Sequence, residues 1–135
     1  MYLLLREKTG KDFSPGTTSL EENRRFQGRP NLLCYGCLSR ITSQEAGISI
    51  NGNQKHVFVN PHGLVFQVGC FSWAVNCLGT GPSTAEFSWF PGFTWQIAVC
   101  ISCLMHLGWR YSSGDSNEFY GLIMDRLVLD TSSED

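Results

Sequence analysis

The sequence CYGC at residues 34–37 has a counterpart, CISC, at residues 100–103, and these two Cys-x-x-Cys pairs decide how the chain folds. Each pair brings two sulfurs within reach of a tight turn, so four thiolates can surround one Zn²⁺ as a closed tetrahedron. An ion that joins the two pairs supplies folding free energy on the order of 10 kcal/mol or more. We therefore predict a structural zinc site with the ligands Cys34, Cys37, Cys100 and Cys103.

The alternatives for these four cysteines are disulfides in a secreted protein or buried free thiols. Two further cysteines, Cys70 and Cys77, stand outside the Cys-x-x-Cys pattern. They lie in or beside an apolar stretch, where a thiol more often serves as a small buried hydrophobic group than as a redox centre. We assign these two cysteines no role.

Short apolar or alternating runs recur between turn signals along the chain, a pattern typical of antiparallel strands. Asn-Gly at 51–52 and NPHG at 60–63 predict tight turns that link such strands. The predicted segments are strands at 47–50, 55–59, 64–71, 96–99 and 107–111, a flexible connection at 79–83, and either a strand or a short helix at 119–129. The fold class is therefore predicted to be all-β.

A chain of 135 residues is long enough for one domain. Residues 1–31 are rich in charged and small polar residues and lack apolar periodicity, which predicts a loosely ordered N-terminal extension. We place the domain at residues 32–130 and a tail at 131–135. The net charge of −2 does not suggest a nucleic-acid partner. No apolar run is long enough to cross a membrane, and no targeting signal is recognisable.

The run FSWFPGFTW at residues 87–95 has five aromatic residues among nine. Pro-Gly at 91–92 reverses the backbone, so Trp89 and Trp95 can face each other across a hairpin as walls of a cage. The alternative is an aromatic cluster that only fills the core. Composition alone does not separate the two.

Six motifs in their order and spacing resemble the CULT domain family, the thalidomide-binding domain of cereblon and its single-domain relatives. They are C-x-x-C at 34–37, VNPHG at 59–63, GPST at 81–84, SWFPGFxW at 88–95, C-x-x-C at 100–103 and HLGW at 106–109. The resemblance covers residues 32–129. Each motif alone is weak, but all six in family order are highly specific.

The resemblance implies a β-tent, two antiparallel sheets pinned by the structural zinc site, with a pocket walled by Trp89, Trp95 and Trp109. It also implies that a glutarimide-type ring enters this cage, held by the Phe87 C=O and the Trp89 N–H. The partner would be a small cyclic imide, of the thalidomide or uracil type, or a protein C-terminus that carries such a ring. The implied ligand-binding residues are Asn60, Pro61, His62, Glu86, Phe87, Ser88, Trp89, Trp95, Trp109 and Tyr111.

Two positions depart from the family pattern. Phe87 stands where cereblon has His, which leaves recognition by the backbone intact, and Tyr111 replaces a Phe. Residues 1–31 do not resemble the Lon-like domain through which cereblon docks onto its cullin-RING ubiquitin ligase, so this chain alone does not support an adaptor contact. The resemblance implies a substrate-receptor module and not an enzyme. Its compartment would be the cytoplasm or nucleus, or outside the cell if a signal peptide had been trimmed.

Two other functions compete with this one. Methionine sulfoxide reductases of the B type share a zinc-pinned β architecture, but they need a reactive cysteine that only Cys70 or Cys77 could supply. A zinc-ribbon nucleic-acid binder would need Lys and Arg interleaved with its aromatics, and residues 34–135 lack that pattern.

Overall fold

The structure is a computed structural model that describes residues 30–130, so residues 1–29 of the expected extension and the tail at 131–135 lie outside the described residues. Asn31, which was expected to belong to that extension, is the first residue of the first strand. The described chain is built from strands and two single 3₁₀ turns, which confirms the all-β prediction. None of its helical turns is long and apolar enough to cross a membrane. The strands are β1 (Asn31–Cys34), β2 (Arg40–Ser43), β3 (Lys55–Val59), β4 (Val65–Phe71), β5 (Cys77–Thr84), β6 (Thr94–Cys100), β7 (His106–Ser112), β8 (Glu118–Ile123) and β9 (Leu127–Leu129).

The strands form two antiparallel sheets, as the resemblance implies. The smaller sheet has the order β2-β1-β9, and the larger has the order β3-β4-β8-β7-β6-β5. The first and last strands of the domain are neighbours, because Leu32 pairs with Leu129. The zinc-ligand candidates therefore lie on both sheets, Cys34 at the end of β1 and Cys100 at the end of β6.

Two buried clusters form the core. One lies beside the smaller sheet and is largely aliphatic, with Leu32, Ile41 and Leu107 among its members. The other lies beneath the larger sheet and is dominated by aromatic rings, including Phe90 and Phe119. Burial of these apolar side chains is the main force that holds the strands together.

Strands β7 and β8 approach each other closely at a pair of glycines. A Cβ atom on Gly108 would meet the carbonyl oxygen of Gly121 and lie 2.8 Å from the Cα of Leu122. On Gly121 a Cβ would lie 2.9 Å from the ring of Tyr111. Glycine is required here because the neighbouring atoms are backbone or tightly packed ring atoms.

The strand predicted at residues 47–50 is wrong. Gly47 and Ile50 make only isolated bridges, to Phe71 and Asn53. The preceding residues form a 3₁₀ turn, Gln44–Ala46, and the hydroxyl of Ser43 caps it by accepting from the N–H of Glu45. After this turn the chain reaches β4 only briefly, through the Gly47 bridge and a bond from the Ile48 N–H to the Cys70 C=O. The Asn-Gly turn itself is present, with positive φ angles of 54° and 91°.

The flexible connection predicted at residues 79–83 is also wrong, because these residues lie within β5. Gly79 pairs with Ala98, and the register shifts between Thr80 and Thr84. At Gly79 a Cβ would collide with the end of the Gln96 side chain, whereas at Gly81 the positive φ of 78° favours glycine. The ambiguous segment 119–129 contains most of β8, the 3₁₀ turn Met124–Arg126 and β9.

Candidate functional site

The two Cys-x-x-Cys pairs adopt the same local structure. The N–H of Leu38 donates to the Cys34 C=O at 2.7 Å, and the N–H of Leu104 donates to the Cys100 C=O at 2.8 Å. Both leucines have a left-handed backbone, with φ of 66° and 67°. Each of these turns, residues 34–38 and 100–104, is called a knuckle below. Each knuckle directs its two sulfurs inward and leaves a leucine on the surface.

The four sulfurs of the knuckles form one cluster, and all lie within 4.8 Å of one another. The Sγ atoms of Cys34 and Cys103 are 3.6 Å apart, as are those of Cys37 and Cys100. These distances are too long for disulfide bonds. A tetrahedral Zn²⁺ with Zn–S bonds of about 2.3 Å would place its sulfurs about 3.8 Å apart. The cluster therefore fits a tetrahedral metal ion.

The electrostatics of the cluster favour thiolate at Cys100 and the protonated thiol at Cys34. Hydrogen bonding from Cys34 lowers the pKa of Cys100 to about 5. The same interaction, together with burial, raises the pKa of Cys34. The cluster also links the two sheets directly, and Ser39 reinforces this by donating from its hydroxyl to that of Ser102 at 3.2 Å.

Three tryptophans lie on the larger sheet and the loop before β6. The rings of Trp89 and Trp109 meet edge to face, with centroids 5.0 Å apart at 80°. Trp109 is buried, and Trp89 is half-buried. Trp95 is half-buried and its Nε1–H donates to the Glu86 C=O at 2.7 Å. All three belong to the aromatic core cluster or pack against it.

Two phenylalanines next to these tryptophans are absent from the site that the sequence predicts. Phe58 stacks on Trp89 with centroids 4.6 Å apart, and Phe66 meets Trp109 edge to face at 5.5 Å. They are directly opposite each other in the pairing of β3 and β4. The alternation within these strands, with His56 and Phe58 on one face, was the signal that could have found them.

The backbone between β5 and β6 turns sharply. Phe87 has a positive φ of 60° and its side chain is 67% exposed. Within residues 30–130, neither the Phe87 C=O nor the Trp89 N–H has a hydrogen-bond partner. The hydroxyl of Ser88 is used within the turn, where it donates to the Phe90 C=O and accepts from the Phe90 N–H. One donor and one acceptor are therefore left open beside an indole ring.

The NPHG sequence forms the loop between β3 and β4. The side-chain oxygen of Asn60 accepts from the N–H groups of His62 and Leu64, each at 2.9 Å. The N–H of Gly63 donates to the Asn60 C=O. Asn60 thus organises the loop, and Pro61 and His62 are exposed on it.

Tyr111 lies beneath the tryptophans and not at the surface. It is 1% exposed, stacks on Phe119 at 5.0 Å and meets Phe90 edge to face at 4.9 Å. Burial raises the pKa of Tyr111. It faces Trp95 across the pairing of β6 and β7. Glu86, in contrast, is exposed, and its backbone orients the Trp95 ring.

The cysteines and histidine outside these groups have structural surroundings. Burial raises the pKa of Cys70 to about 12, and that of Cys77 to about 12. His106 is half-buried, its Nε2 lies 2.9 Å from the Gly108 C=O, and burial lowers its pKa. A thiol at position 70 or 77 is therefore protonated near neutral pH, the opposite of what a thiolate nucleophile needs.

No family model matches the chain. Among curated proteins, the cereblon of Xenopus tropicalis is 38% identical over 103 residues, which cover 72% of this chain and 23% of that protein. The cereblon of Danio rerio is 33% identical over 105 residues, 73% of this chain and 24% of that protein. The cereblon of Drosophila grimshawi is 37% identical over 123 residues, 88% of this chain and 18% of that protein.

The chain thus spans a quarter or less of the length of these relatives. The similarity nevertheless extends over most of this chain. The chain also has a two-sheet antiparallel fold and a cluster of four cysteines. On these grounds the chain contains a CULT-like domain of the cereblon family.

Proposed function

We propose that this domain is a zinc-stabilised substrate-receptor module that binds cyclic imides in a cage formed by Trp89, Trp95 and Trp109. The ligand is a glutarimide-type or uracil-like ring, either free or at the C-terminus of a modified protein. The relatives support a receptor role, because each of them is a cereblon.

The observation that carries the proposal is the pair of open backbone groups beside Trp89. A cyclic imide presents an N–H between two carbonyls on one edge of a flat ring. The Phe87 C=O accepts from that N–H, and the Trp89 N–H donates to one carbonyl. Indole faces cover the apolar remainder, so aromatic walls supply affinity and the backbone selects the ring by its polar edge.

The expected affinity for a bare ring is modest. Burial of about 150 Å² of apolar ligand surface contributes on the order of 4 kcal/mol, at about 25 cal/mol per Å². Two hydrogen bonds add about 1 kcal/mol each. Association entropy opposes both, which leaves a Kd in the micromolar to millimolar range.

The ligand test is a tryptophan-fluorescence titration of the zinc-loaded protein with glutarimide and N-methylglutarimide. Glutarimide should quench the fluorescence with a saturable curve. The N-methyl compound should bind at least about tenfold more weakly, because it loses one donor and adds bulk where the backbone closes on the ring. Equal binding of the two compounds would overturn recognition by the backbone.

Trp73 provides a matched control for the cage. It packs against the aliphatic core cluster and not the aromatic one. Trp89→Ala should weaken glutarimide binding by tenfold or more as a wall is lost, whereas Trp73→Phe should leave the Kd unchanged. A Trp89→Ala variant that folds and binds normally would show that the ring lies elsewhere.

We also propose that the metal of the four-cysteine cluster is Zn²⁺ and that its role is structural. The donors are four thiols with no open coordination position, the set that structural zinc sites use. Protein purified without added metal should contain one zinc per chain, and chelation should unfold the domain as followed by circular dichroism. Folded protein without metal would refute the proposal.

The reductase alternative is less well supported. It requires a thiolate, and burial raises the pKa of both Cys70 and Cys77. Methionine sulfoxide should therefore neither quench the tryptophans with glutarimide-like affinity nor be reduced by the protein in the presence of a thiol reductant. Turnover that is lost in Cys70→Ser would support the enzyme instead.

A further inference from the structure

A row of three aromatic rings connects strand β3 to Trp89. The ring of Phe58 lies nearly parallel to that of Trp89, with centroids 4.6 Å apart and 9° between the planes. The ring of His56, two residues earlier on the same strand, lies nearly parallel to Phe58 at 5.3 Å and 6°. Within residues 30–130 no ring contact joins His56 to Trp89, so Phe58 lies between them. We call these three rings the β3 stack.

The outer end of the β3 stack is fixed to the backbone. The Nε2 of His56 lies 3.1 Å from the Ile50 C=O and 2.9 Å from the Asn53 C=O. Both partners are acceptors, so Nε2 carries a proton and donates to both carbonyls. Ile50 and Asn53 are also bonded to each other in both directions across the Asn-Gly turn. The turn therefore holds the imidazole plane in one orientation.

The loop that carries Trp89 rests on the same two rings of β3. Phe90, the next residue in the chain, is 1% exposed and meets His56 edge to face at 5.2 Å and Phe58 at 5.3 Å. Stacked and edge-to-face contacts are the arrangements that aromatic rings prefer. A close-packed ring keeps one rotamer because its neighbours leave no room for another. The orientation of Phe58 is thus set by His56 and Phe90 together.

Among the three tryptophans, Trp89 depends most on ring contacts. Trp109 is 9% exposed on β7, and the Nε1–H of Trp95 has a backbone acceptor. Trp89 is half-buried in the loop before β6, and in the described part of the chain its Nε1–H has no hydrogen-bond partner. The closest of its ring contacts is the one with Phe58. Whatever orients Phe58 therefore orients Trp89.

We propose that His56 is a positioning residue for the cage, which orients Trp89 through Phe58 without touching the ligand. The inference rests on the proposed binding of cyclic imides, because it explains how one wall of that cage is held ready before the ring enters. Without the imidazole, Phe58 loses its support and Trp89 gains access to other staggered χ1 positions. Equal population of three such positions would leave one third of the molecules competent and raise the apparent Kd about threefold.

The first test needs no ligand and uses proton NMR of the full zinc-loaded chain. Protons held over the face of an aromatic ring resonate upfield, so the indole protons of Trp89 report the position of Phe58. Trp89→Phe identifies these signals. In His56→Ala they should move toward the positions of an unstacked indole. The signals of Trp73, which packs in the aliphatic cluster, should stay in place.

Two further variants separate the ring of His56 from its hydrogen bonds. His56→Phe keeps a ring against Phe58 and should restore part of the upfield shift. His56→Gln keeps a donor for the two carbonyls but has no ring, so it should restore none. His56→Gln also serves as the test variant if His56→Ala does not fold. A Gln variant that restores the shift as well as the Phe variant would overturn the role of the stack.

The second test is a glutarimide titration of the same proteins. The Kd should rise about threefold in His56→Ala and recover in part in His56→Phe. The control is Ile41→Val in the aliphatic cluster, which lowers stability without altering a ring and should leave the Kd unchanged.

Unchanged Trp89 signals in His56→Ala would overturn the inference, and so would moved signals with an unchanged Kd. A wild-type protein that shows no saturable binding of glutarimide would instead refute the proposed function. In that case the Trp89 signals alone decide whether His56 positions the indole.

Discussion

The side chain of Asn60 accepts two backbone hydrogen bonds and so holds the loop between β3 and β4 in one shape. Asn60→Ala should lower the free energy of unfolding by about 1–2 kcal/mol, because two bonds are lost in a half-exposed loop. Asn60→Asp keeps the accepting oxygen and should lose much less. Urea denaturation of the three proteins measures the difference. Equal losses in both variants would mean that the amide nitrogen, not the oxygen, holds the loop.

Tyr111 makes stability depend on pH in the alkaline range. Burial raises its pKa, so the folded protein keeps the phenol proton where the unfolded chain, with a pKa of about 10, releases it. The stabilisation by Tyr111 is complete below about pH 10 and is lost as the pH rises above that value. Tyr111→Phe should remove this alkaline loss of stability, which is up to about 1.4 kcal/mol of unfolding free energy per pH unit.

Denaturation of wild type and Tyr111→Phe between about pH 9 and pH 11 tests this titration. Tyr35→Phe is the matched control, because that side chain is 65% exposed and its replacement should leave the alkaline slope unchanged. An identical slope in wild type and Tyr111→Phe would contradict the argument.

At the level of residues, the sequence predicts best where chemistry dictates spacing. Two thiols separated by two residues can share an ion only through a tight knuckle, so the cysteine cluster was predictable and the geometry agrees with it. Strand alternation indicates which face Phe58 and Phe66 share, but their contacts with the tryptophans depend on how distant parts of the chain pack, which no local pattern specifies. The depth of Tyr111 on β7 depends on such packing too, since its neighbour Phe90 comes from the loop between β5 and β6.

Among the elements, β7 and β8 depend on the glycines between them. Gly108→Ala would drive a methyl group into the backbone of β8 and should cost roughly 3 kcal/mol or more, or prevent folding. Gly114→Ala, in the turn that joins the same strands, has no heavy atom within 4 Å of the new Cβ and should be nearly neutral. Thermal melts of the two variants provide the comparison, and a neutral Gly108→Ala would show that the strands can separate without penalty.

Most strands were predictable from local patterns, but two segments were assigned the wrong element type. The run at 47–50 has the composition of a strand, yet it follows a 3₁₀ turn and makes only isolated bridges. The glycines at 79 and 81 looked like a linker, but they lie in β5, where Gly79 makes room for a side chain of the next strand. At 79–81 a partner distant in sequence decides the outcome over the local signal.

For the whole molecule, residues 1–29 should be dispensable for ligand binding, because they lie outside every matched motif. Deleting them should leave the melting temperature and the glutarimide Kd nearly unchanged. Deletion through residue 31 should be destabilising, since the Pro30 C=O accepts from the N–H of Gln44, and Asn31 pairs with Ser43 in the smaller sheet. A large loss of affinity in the shorter deletion would place part of the site in those residues.

The described fold brings its own two ends together. The N–H of Asp130 donates to the Asn31 C=O at 2.9 Å, and β1 and β9 run side by side. A domain with adjacent ends can be inserted into a surface loop of an unrelated host protein, because closing that loop costs little conformational entropy. The same proximity allows circular permutation: a short linker from residue 130 to residue 30, with new termini opened in the exposed turn at 114–116, should leave the sheets and the cysteine cluster unchanged.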